Sequence, residues 1–113
     1  MEEGIPRKSV EVSDEFKANR TQIYDYTLNT FGYFQAERYL QLIEQSLSLL
    51  HNFYMAYPEC RHLPTKSRMY RNIILDAHLI IYRVAEKRIE VLDIVHSASS
   101  IRKIRDVRKV RFV

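Results

Sequence analysis

Residues 69–96 read MYRNIILDAHLIIYRVAEKRIEVLDIVH, and this stretch decides the fold. Ile, Leu, Val and Tyr crowd three segments, Met69 to Leu75, His78 to Val84 and Arg88 to Val95. They are separated by Asp76-Ala77 and by Ala85-Glu86-Lys87, both short enough for hairpin connections. The spacing predicts three antiparallel strands in a meander. Immediately upstream, residues 58–68 hold Pro58 and Pro64 among polar and basic neighbours and read as a loop.

Further upstream the apolar period changes from 2 to 3.6. Ala36, Leu40, Ile43, Leu47, Leu50 and Tyr54 are spaced 4, 3, 4, 3 and 4, one continuous helical stripe. Tyr57-Pro58 stops it, because proline cannot continue the hydrogen-bond ladder. An earlier helix is predicted from about 14 to 29, with Phe16, Ile23, Tyr24 and Tyr26 as its apolar residues. Ser13 supplies its N-cap hydroxyl, and Asp14 and Glu15 put negative charge in the first turn. Gly32 ends it by taking the left-handed conformation. Residues 9–12, Ser-Val-Glu-Val, alternate and read as a short strand at the sheet edge. The order β-α-α-β-β-β segregates helices from strands, so the fold class is α+β: a two-helix hairpin packed on one face of a small antiparallel sheet. Beyond residue 100 the pattern is ambiguous, with Ile101, Ile104 and Arg108 suiting a helix and residues 110–113 a strand.

The chain has 113 residues, enough for one domain with a core at about 9–96 and a basic C-terminal tail at 97–113. A single cysteine, Cys60, excludes an internal disulfide framework and suits a reducing compartment. No apolar run reaches the roughly 18 residues of a transmembrane helix, and the first residues lack the apolar stretch of a signal peptide. A cytoplasmic protein without membrane contact is expected. Charge is uneven: residues 1–60 carry five Lys/Arg against nine Asp/Glu, whereas residues 61–113 carry thirteen against five. That asymmetry suggests an anionic partner for the C-terminal half, either nucleic acid or an acidic protein segment.

Several chemistries are excluded. The four histidines and Cys60 show no CxxC or HExxH spacing, so neither a metal nor another cofactor is expected; they read as a surface cysteine and unrelated histidines. With only Gly4 and Gly32, the chain can build neither a nucleophile elbow nor a phosphate-cradling loop. What remains is basic and strand-borne. Arg71 and Arg83 lie on the first two meander strands and His96 ends the third, with Tyr70 and Tyr82 nearby. Arginines hold a phosphodiester while a histidine moves a proton, the minimum for a ribonuclease. Against this, Arg71 can equally sit at the sheet's rim paired to a carboxylate, and Tyr82 within Leu-Ile-Ile-Tyr fits the core better than a site.

The element order and several strings resemble the RelE/ParE superfamily of bacterial type II toxins. The carrying residues are Val12-Ser13-x-x-Phe16, Gly32 followed by Ala36, Tyr39 with its long stripe, Arg71-Asn-Ile-Ile-Leu75, His78-Leu-Ile-Ile-Tyr-Arg-Val84 and Ile89 to His96. The resemblance covers about residues 9–105. It implies a small cognate antitoxin whose C-terminal segment wraps the toxin, with operator DNA contacted only through that antitoxin. ParE-like members poison DNA gyrase without acting as nucleases, whereas RelE-like members cut messenger RNA on the ribosome. The arginine opening the 71–84 segment resembles the ParE version. The RelE-like branch expects lysines where Tyr70 and Asn72 stand, and an arginine where Leu79 stands. The resemblance thus implies a gyrase inhibitor, with a ribosome-dependent endoribonuclease and an attenuated binding module of the same fold as alternatives. It places the target-binding residues at His96, Arg102, Lys103 and Arg105, with Arg71 supporting them; in the ribonuclease alternative His96, Arg71 and Arg83 are catalytic.

Overall fold

The computed structural model describes residues 5–112. In chain order these form β1 (Ser9–Val12), α1 (Asp14–Phe31), α2 (Tyr33–Phe53), β2 (Tyr70–Ile74), β3 (His78–Val84), β4 (Arg88–His96) and α3 (Ile101–Asp106), with a 3₁₀ turn at Val107–Lys109. The expected α+β order is present, and α3 resolves the ambiguity beyond residue 100. Ser13 caps α1, its side chain accepting from the Phe16 N–H. That helix runs to Phe31, past the expected end, because Gly32 alone makes the corner: it is both the C-cap of α1 and the N-cap of α2. Its φ of 94° with ψ of 175° is a positive-φ extended conformation rather than the left-handed helical one expected.

The four strands lie in the order β1-β4-β3-β2. β2, β3 and β4 form the predicted antiparallel meander. β1 sits at the edge, as expected, but pairs parallel to β4, so the sheet is mixed rather than wholly antiparallel. The hairpin turns dictate alternating directions only within the meander. β1 reaches β4 only after two helices, a loop and the first two meander strands, so no hairpin turn ties their directions and parallel pairing is open to them. A β-bulge lies in the β3–β4 ladder: Tyr82 opposes Val91 while Ile81 opposes Asp93, leaving Leu92 as the extra residue.

That bulge switches β4 from one face to the other, and the sheet has a core on each. On the first face Phe16, Ile43, Leu47, Leu50 and Tyr54 of the helical hairpin pack on Ile73, Ile80, Tyr82, Ile89, Val91 and Ile94. On the second, Ile81, Leu92 and Val95 pack against Cys60 and Leu63 of the 58–68 loop and Ile104 and Val107 of the C-terminal segment. The sequence offered cover for one face only, the helical hairpin; the apolar residues at 81, 92 and 95 require cover on the other, and the loop and α3 supply it. The stretch read as a tail is therefore packed, with Ile104 and Val107 buried and Val110 and Phe112 partly so. No helix among the described residues is long and apolar enough to cross a membrane.

Candidate functional site

A groove of about 550 Å³ opens at one end of the sheet, where β3 begins, β4 ends and α1 passes overhead. Ile23 and Tyr26 of α1, Ile94 of β4 and Phe31 give it apolar walls; His78, His96 and Lys103 give it polar ones. His78 stands directly opposite His96 in the β3–β4 register, with ring centroids 5.5 Å apart. Tyr39 of α2 hydrogen-bonds His78 Nδ1 through its hydroxyl at 2.7 Å. Burial lowers the pKa of His78, the neighbouring His96 lowers it further, and Asp76 opposes them without reversing the direction. Burial also raises the Tyr39 phenol, so both groups favour their neutral forms.

His96 itself is exposed. Its Nδ1 accepts from the Ala98 N–H at 3.0 Å, which leaves Nε2 to carry the proton of the neutral ring. The Ser/Ala run after it is built as a turn. The Ser97 N–H donates to the Ala77 carbonyl, the Ser99 N–H donates to the His96 carbonyl, and Ser100 caps α3 by accepting from the Lys103 N–H. On α3, Ile104 faces the second core while Arg102, Lys103 and Arg105 are exposed. His96 and Lys103 thus share the groove, and Arg102 and Arg105 extend the cationic surface beside it.

Arg71 and Arg83 lie elsewhere. Arg83 pairs across the ladder with Glu90, five rows from the His78–His96 pair and hence roughly 16 Å away along the strands. Its guanidinium binds Glu90 at 2.6 Å and reaches the Tyr70 hydroxyl at 3.3 Å. Burial pushes the Glu90 carboxyl up, but hydrogen bonds from Arg83 and Arg88 outweigh it, and Glu90 stays below the ordinary carboxylate range. Arg71 sits at the same end and meets no carboxylate among the described residues: Nη1 donates to the carbonyls of Tyr57 at 2.7 Å and Met55 at 3.3 Å. It fastens the coil after α2 to the edge strand. Tyr82 is wholly buried and donates its hydroxyl to the Tyr54 carbonyl.

Two readings from the sequence are corrected here. Cys60 is buried rather than on the surface, and burial raises its thiol pKa. The histidines are not all unrelated, since His78 and His96 face each other. Among the described residues no group of three His, Cys, Asp or Glu side chains could hold a metal ion. The sequence reading missed His78 and Tyr39. The signal was the pairing of the hairpin, but a regular ladder from the Glu86-Lys87 turn sets His78 opposite Val95; only the bulge at Leu92 brings His96 there.

The geometry defines a small α+β domain with an apolar groove at one sheet end and a cationic short helix beside it. Its sequence from residue 10 to 101 matches the family described as the ParE toxin of the type II toxin-antitoxin system, parDE, and the chain belongs to that family. A solved structure titled "Chromosomal ParDE TA system from P. aeruginosa" superposes with a TM-score of 0.66 at 21% identity, covering 80% of this chain and 96% of that one. That likeness establishes the shared fold. No curated protein matches the chain in sequence.

Proposed function

We propose that this ParE-family toxin acts on DNA gyrase as a non-enzymatic poison, and that a small cognate antitoxin restrains it by seating in the groove between the helical hairpin and the sheet. One observation carries the first half. The three groups an RNA-cleaving site would need, His96, Arg71 and Arg83, do not converge, and both arginines are taken up by internal partners. A phosphodiester held at His96 would lack the preorganised cations that stabilise a cleavage transition state. Beside His96, the exposed cations Arg102, Lys103 and Arg105 stand on α3, where a large target can meet them. Contact by charge requires no proton transfer, so in this reading His96 is a contact residue.

The groove supports the second half. It combines apolar walls with His96 and Lys103, the mixture that a peptide folding on a surface exploits through anchors and charge complementarity. A segment seated there covers two of the proposed target contacts, so binding and neutralisation become the same event. Induced expression tests the proposal through two readouts, trapped gyrase–DNA cleavage products and cuts in messenger RNA. The first is expected. Replacing Arg102, Lys103 and Arg105 together with Ala should weaken toxicity strongly, and His96→Ala only in part; abolition by His96→Ala alone, with RNA cuts in the parent, would establish the ribonuclease instead.

A further inference from the structure

A second groove lies at the opposite end of the sheet, on its second face, and its chemistry differs from the first. Its floor is Arg83, Glu90 and Arg88, one carboxylate held between two guanidiniums at 2.6 and 2.8 Å. Its wall is the chain after α3, which brings Arg108, Lys109 and Arg111 alongside. The cavity measures about 600 Å³. Lys109 has an exposed partner in Asp106 at 3.2 Å. Among the described residues neither Arg108 nor Arg111 pairs with a carboxylate. Five cations therefore face a single acid that is already neutralised.

We infer that this groove binds the phosphodiester backbone of a nucleic acid, directly and without regard to sequence. The lining excludes the other class of polyanion that the charge would suit. An acidic peptide that docks by folding needs apolar pockets for its anchors. The only apolar residues here, Val110 and Phe112, are turned to the second core, and Phe112 is also covered by the Arg88 guanidinium at 5.2 Å. A phosphate backbone needs no such pocket; it needs cations in a row, and arginine forks match its oxygens. The wall residues also lie beyond residues 10–101, the span of the family match. The inference does not rest on the gyrase reading, and its test contains no gyrase.

The full-length protein is titrated into a short fluorescein-labelled duplex DNA, and anisotropy is followed at several salt concentrations. Binding should fall linearly with the logarithm of salt, each phosphate contact adding roughly 0.9 to the slope. Replacing Arg108, Lys109 and Arg111 together with Ala should reduce the slope by roughly 2–3, removing about fortyfold of the affinity loss between about 50 and 200 mM salt. A charge-matched variant, Lys17→Ala with Arg61→Ala and Lys66→Ala, alters exposed cations elsewhere and should change the slope by less than about 1. Displacement by an unlabelled single-stranded RNA of equal length supports the same backbone chemistry. Equal losses in the two triple variants would reduce the effect to net charge and overturn the site. So would absence of DNA binding, or tighter groove-dependent binding of a polyglutamate peptide. Should the first triple variant fail to melt like the parent, Arg111→Ala alone must still lower the slope by about 1.

Discussion

Ser13 does three things with few atoms. Its hydroxyl accepts from the Phe16 N–H at 2.9 Å, starting α1, and donates to the Leu92 carbonyl at 2.5 Å, while its own N–H donates to the Val91 carbonyl. Leu92 is the extra residue of the β-bulge, so one serine caps a helix and binds the irregularity in β4. Ser13→Ala removes the cap and leaves that buried carbonyl without its partner, a loss of about 1–3 kcal/mol. Urea denaturation reads it, and a change under about 0.5 kcal/mol would deny the double role. The capping role was legible in the sequence; the second was not, because nothing local marks a bulge. His78 makes a different prediction. Burial and His96 hold its folded pKa below the ordinary 6.5, so the native state takes up its proton later than the unfolded chain. Its contribution is intact above 6.5 and is lost as pH falls from there through the folded pKa. The stability difference between the protein and His78→Gln should therefore shrink as pH falls from 7 through that window; a constant difference across it would show that His78 does not titrate as placed. Glu90 acts in a separate window, since its depressed pKa removes stability only as pH falls below its ordinary 4.5.

At the level of elements, α3 holds the main lesson. Six residues cannot sustain a helix in water on their own. The Ser100 cap and the burial of Ile104 make it, and both depend on β4 delivering the chain to the right place. That dependence is why the stretch from Ile101 read ambiguously, with Ile101, Ile104 and Arg108 suiting a helix and residues 110–113 a strand. The long stripe of α2 and the alternation of β2 to β4 carry their own signal and were read correctly; the direction of β1 was not, because pairing with β4 is a non-local choice. If α3 is docked as described, Ile104→Ala should cost about 2–5 kcal/mol, whereas Ile101→Ala, half exposed, should stay near 0.5 kcal/mol. Equal, small effects at both positions would describe a solvated tail.

Across the whole molecule, a sheet covered on both faces opens a groove at each of its two ends. The His96 end combines apolar walls with cations, and the Arg83 end is nearly all charge. The excess of cations in the C-terminal half was legible in the sequence, but Arg71, Arg83 and His96 read as one site, because strand assignments without the bulge and the second core say little about which ends meet. The separation of those residues underlies the central claim, that toxicity comes from a contact surface at His96 and α3 acting on gyrase. Incubating the purified toxin with gyrase and supercoiled DNA, then denaturing the enzyme, measures this directly. The account predicts protein-linked broken DNA that increases with toxin and falls away in the Arg102, Lys103 and Arg105 triple alanine variant, with ribosome-bound messenger RNA left intact. Unbroken DNA together with cut messenger RNA, dependent on His96, would contradict it.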